Sequence, residues 1–166
     1  MADSAIELDE SFVIPPPAAG PDVAPVLSAL NSLYLAESCS FFRYLDSWTP
    51  WTDARTVQLR SLVRSITRAS FDHAERLSRL MTARGGSPTP GSFRKTDADS
   101  NYADWPSLLP RLIDAKRQMI VRCDQALSAL RAVSGADEAV ALVTAHREEN
   151  VSHLDALRSW SARLAS

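Results

Sequence analysis

Apolar residues recur at three- and four-residue steps through four long stretches of this 166-residue chain, and polar side chains interrupt each stripe near its middle. A period of 3.6 selects amphipathic helices, and no stretch shows the strict alternation of a strand. The first helix runs from about Val23 to Trp48, with Leu27, Leu30, Leu33 or Tyr34, Glu37, Phe41, Tyr44 or Leu45, and Trp48 facing inward. Thr49-Pro50-Trp51-Thr52 breaks it, and Thr52 or Asp53 caps the second helix. That helix reaches about Arg84 through Leu59, Leu62 or Val63, Ile66, Ser70, His73, Leu77, and Leu80 or Met81, and Gly85-Gly86 ends it.

The third helix starts near Pro106 or Ser107 and carries Leu109, Leu112 or Ile113, Lys116, Met119 or Ile120, Cys123, Leu127 and Leu130. Ser134-Gly135 punctuates, and the fourth aligns Val140, Val143, His146, Asn150, His153, Leu157, Trp160 and Leu164 on one face. Residues 87 to about 105 hold prolines, a glycine and small polar residues without helical period, so a long crossover joins the second helix to the third. Four helices with short outer links and one long crossover specify an all-α four-helix bundle.

The chain length fits one domain over residues 23–166, preceded by a flexible Pro-rich tail over residues 1–22. A net charge of −2 gives no electrostatic case for nucleic acid, and Arg60, Arg64 and Arg68 on the second helix read as a solvated face. No apolar run is long enough to span a membrane, and the acidic N-terminus does not resemble a secretory signal, so a cytoplasmic location is the expectation. Cys39 and Cys123, inside helical patterns and without CxxC spacing, read as buried thiols. Trp48, Trp51, Trp105 and Trp160 fall near helix ends, where end-of-bundle packing accounts for them and a dimer interface is the alternative.

The mid-helix polar residues are Glu37; Ser70 with His73; Lys116; and Asn150 with His153. Glu37 precedes His73 by 36 positions and Lys116 precedes His153 by 37, so the two helical hairpins repeat one plan, polar anchor then histidine. With the strings Leu-Ala-Glu-Ser at 35–38, Asp-His-Ala-Glu-Arg-Leu at 72–77 and Ser-His-Leu-Asp-Ala-Leu at 152–157, the chain resembles the ferritin-like superfamily, on its bacterioferritin and rubrerythrin side, from about residue 23 to 165. The resemblance implies that superfamily's bundle topology and a buried di-iron site. That site takes one Glu from each of two helices and a Glu-x-x-His from each of the other two. Glu37 matches the first helix's carboxylate, and His73 and His153 match the two histidines. Ser70, Lys116 and Asn150 stand where the remaining carboxylates belong.

Two irons a few Å apart need several anionic oxygen donors, and an ammonium offers no lone pair. The first expectation is therefore a largely lost di-iron centre. Its site would bind no metal, with Lys116 paired to Glu37 and with Ser70, His146 and Asn150 completing a polar core, in a non-ferroxidase binding or structural module. The alternative is a single iron or zinc ion on Glu37, His73 and His153, with or without His146, in a metal-dependent oxidoreductase or iron-handling protein. His146, seven residues before His153 on the same face, reads as a core histidine bonded to a polar neighbour or as one rung of a His146–Asn150–His153 ladder. No methionine offers a haem ligand. By the same resemblance, a homodimer through the first two helices is expected.

Overall fold

The computed structural model describes residues 23–47, 50–93, 95, 97 and 103–165; the expected Pro-rich tail and Trp48 lie outside them. Among the described residues five helices form: α1 (Val23–Ser38), α2 (Phe41–Ser47), α3 (Val57–Ala83), α4 (Trp105–Leu130) and α5 (Asp137–Ala165). α1 lies against α3 and α4, and α5 lies against α4 and α3. The C-terminal end of the first rod, the N-terminal ends of α3 and α4, and the C-terminal end of α5 share one apolar cluster. α3 and α4 therefore run parallel, and the connection between them spans the length of the bundle. Among the described residues, no helix is long and apolar enough to cross a membrane.

The first expected helix is two. Ser38-Cys39-Ser40 breaks it directly after Glu37: Ser40 N–H turns back to the Glu37 carbonyl (3.2 Å), and Ser40 Oγ accepts from Arg43 N–H (3.4 Å) as the cap of α2. Short hydroxyl side chains compete for backbone groups in this way and favour helix ends over interiors. α3 also starts later than expected. Asp53 and Thr56 form a reciprocal turn, with Thr56 N–H donating to Asp53 Oδ1 (2.8 Å) and Asp53 N–H to Thr56 Oγ1 (3.0 Å), and helix begins only at Val57. Its other end closes as expected: Gly85 takes φ 78°, and the Gly86 N–H reaches the Met81 carbonyl (2.9 Å), satisfying an orphan acceptor of the last turn. Asp104 caps α4 through the Ser107 N–H (2.9 Å).

The tryptophans do not share one role. Trp105 is buried and donates to Thr52 Oγ1 (3.0 Å), whereas Trp51 is 78% exposed and packs no bundle end. Trp160 is half-buried, with the Arg163 guanidinium over its ring. Of the two thiols only Cys123 is buried; Cys39, placed on the helix break, is half-buried.

The core is divided. One apolar cluster joins Val26, Leu30 and Leu33 to Leu77, Met81, Cys123, Leu130 and Val143. The other joins Phe42 and Leu45 to Ile66, Leu112, Leu154 and Leu157. Between them Glu37, Ser70, His73, Lys116, His146 and Asn150 form a buried polar layer, each at most 2% exposed.

Candidate metal centre

Every rod contributes to this layer. α1 supplies Glu37 in its last turn, α3 supplies Ser70 and His73 one turn apart, α4 supplies Lys116, and α5 supplies His146, Glu149 and Asn150. His146 Nε2 donates to Glu37 Oε1 at 2.6 Å, and the His73 and His146 rings lie 3.9 Å apart between centroids. His73 Nε2 donates to Glu149 Oε2 at 2.7 Å. Glu37, His73 and His146 each place a donor atom within 4.8 Å of the others, all three residues being buried.

The tautomers follow from the partners, because an ionised carboxylate only accepts. With Nε2–H of His146 given to Glu37 and Nε2–H of His73 given to Glu149, the Nδ1 atoms of both rings are buried without a hydrogen-bond partner. His73 Nδ1 faces Glu37 Oε1 across 3.5 Å. Buried polar atoms without a hydrogen-bond partner collect here: Glu37 Oε2, Ser70 Oγ, His73 Nδ1, His146 Nδ1 and His153 Nδ1.

Charge is distributed unevenly. Burial works to raise the Glu37 pKa, but the His146 hydrogen bond, then His73 and the Lys116 charge, outweigh it and hold the carboxyl well below the usual range. Burial pushes His146 down, only partly offset by Glu37, so the ring is neutral. Burial likewise lowers Lys116, against the pull of Glu37 and Glu149. Its ammonium lies over the Phe42 ring and donates to Asn150 Oδ1 (2.7 Å), and Asn150 Nδ2 donates to the His146 carbonyl (2.8 Å).

Two expectations change. Lys116 is buried in the layer but hydrogen-bonds Asn150, not Glu37, whose partner is His146. The histidine grouped with Glu37 and His73 is His146, which the single-ion alternative allowed as a further ligand, and His153 is not in that group. α5 meets Glu37 at His146, about two turns above His153. His153 stays half-buried at the edge, its pKa brought down to about 4 by burial and by Lys116. Glu149 was missed altogether, although its i, i+3 spacing from His146 is a usable helical signal.

Glu37, His73 and His146 together can hold one ion. Two imidazoles and an ionised carboxylate suit a single first-row divalent metal such as iron or zinc, and Glu149 behind His73 reproduces the carboxylate–histidine pairing that orients such ligands. Ser70, Asn150 and Lys116 add only a hydroxyl, an amide and a cation to the buried layer, and Glu149 and His153 lie at its edge.

The fold is ferritin-like. It matches the crystal structure of a ferritin-like diiron-carboxylate protein from Bacillus anthracis str. Ames with a TM-score of 0.72 and 17% identity, covering 86% of this chain and 99% of that one. It matches the Desulfovibrio desulfuricans bacterioferritin, whose structure describes a diiron site in different catalytic states, with a TM-score of 0.67 and 19% identity over 87% and 82% of the two chains. No protein-family model matches the sequence, and no curated protein matches it.

Proposed function

We propose that this protein is a ferritin-like module that binds one transition-metal ion, iron or zinc, through Glu37, His73 and His146, and is not a di-iron ferroxidase. The observation that carries the reading is the convergence of Glu37, His73 and His146 donor atoms within 4.8 Å in a buried layer, with His73 Nδ1 and His146 Nδ1 lacking hydrogen-bond partners. Glu37 supplies the anionic donor, and Glu149 fixes the His73 ring from behind. Apolar clusters pack on either side of the layer. Bound there, the ion supplies Lewis acidity and, if iron, a one-electron couple. Ser70, Lys116 and Asn150 in place of carboxylates argue against the two-metal chemistry of the di-iron relatives.

A metal-free structural layer is the second reading. The Glu37–His146 and Lys116–Asn150 hydrogen bonds favour it, because they tie α1 to α5 and α4 to α5 without any ion. Elemental analysis of protein purified without chelators separates the two. About one equivalent of metal per chain, abolished by His73→Gln with His146→Gln, supports the metal reading. Metal-free wild-type protein that takes up neither Zn2+ nor Fe2+ refutes it.

A further inference from the structure

The break between α1 and α2 opens a cleft against α4, of about 350 Å3, which runs in to Glu37 and Lys116. That is the size of a small-molecule site, and one end of it is a buried charge. Leu35, Phe41, Phe42 and Met119 form apolar walls, and Arg111, paired with Asp97, lies on its lining. Lys116, 2% exposed, gives one of its three N–H donors to Asn150.

We propose that this cleft binds a small organic carboxylate, its anionic end at Lys116 and its apolar body against Phe41, Phe42 and Met119. The inference rests on the single-metal reading. A divalent ion and Lys116, set against Glu37 and against Glu149 with its Arg76 partner, leave net positive charge at the inner end of the cleft. A monoanion entering through the cleft neutralises it. Without the ion the two carboxylates are matched by Lys116 and Arg76, and no net charge remains to draw an anion in. Metal and carboxylate therefore bind cooperatively, and by linkage each strengthens the other by the same factor. The aromatic and aliphatic walls favour an organic acid over a hydrated inorganic anion.

Isothermal titration of benzoate into the protein, with and without one equivalent of Zn2+, tests this. The expected result is binding at least about tenfold tighter in the Zn2+-loaded protein. Lys116→Met retains Zn2+ and loses that gain. Ala115→Phe, which fills the cleft and leaves Lys116 in place, weakens benzoate in the same way and carries the test if Lys116→Met does not fold. Equal benzoate affinity with and without Zn2+, or wild-type affinity in either variant, overturns the inference. Phosphate or chloride binding as tightly as benzoate overturns its organic part. Failure to take up Zn2+, seen before any benzoate is added, overturns the metal reading itself and this inference with it.

Discussion

Glu149→Gln isolates the carboxylate behind His73. The side chain is 41% exposed, so an amide of the same shape leaves the bundle intact, yet the charge that holds the His73 Nε2–H at 2.7 Å is gone. Carboxylates that orient a metal-bound histidine are worth about 10–100-fold in metal affinity. At a Zn2+ concentration about 100 times the wild-type Kd, binding adds about 2.7 kcal/mol, which raises Tm by roughly 5–10 °C in a chain of this size. A variant about 100-fold weaker gains only about 0.4 kcal/mol at the same concentration, hence roughly 1–2 °C. Scanning calorimetry of both proteins, with and without Zn2+, reads that difference, and Glu148→Gln at the exposed neighbouring position is the control. A Glu149→Gln protein that keeps the full Zn2+-induced rise refutes the coupling of Glu149 to the site.

Three further outcomes are expected. Ser70→Glu, Lys116→Glu and Asn150→Glu together restore carboxylates at the three altered positions and raise metal content from one ion to two per chain; a folded triple variant that takes up no iron shows the layer to be misaligned with a di-iron site. Metal-free protein weakens in mild acid: with the His153 pKa held at about 4 against an ordinary 6.5, the unfolded chain takes up that proton first, so stability is lost as pH falls between those values. Solvent screening of the half-exposed ring limits this loss to about 1–2 kcal/mol, and urea midpoints at neutral pH and near pH 4.5, flattened by His153→Gln, measure it. Finally, a thiol reagent modifies Cys39 first and reaches Cys123 only on unfolding, because burial, reinforced by Glu37, pushes the Cys123 thiol up to about 12.

Particular residues show how far the sequence could be read. The buried stripe Leu59, Val63, Ile66, Ser70, His73, Leu77 and Met81 on α3 follows directly from helical period, as does the stripe on α4 with Lys116 in it. The α1–α2 break was hidden because Glu37 and Phe41 are four positions apart, the step a continuous helix would also give. Period fixes the direction a side chain faces around its helix but not its height relative to other helices. His146, Asn150 and His153 share one face, so choosing which of them meets Glu37 required the packed heights of α1 and α5. The exchange of partners, His146 on Glu37 and Asn150 on Lys116, has the same origin. Glu149 escaped notice because a charged residue beside the stripe reads as solvent-facing until a buried imidazole is found to hold it.

Anomalous X-ray scattering at the zinc and iron edges, from crystals of protein purified without chelators, addresses the central claim most directly. The account predicts one peak per chain, bounded by the Glu37 carboxylate and the His73 and His146 rings. Two peaks in the layer, a peak held by His153 in place of His146, or a layer with no peak after soaking in Zn2+ or Fe2+ would contradict it.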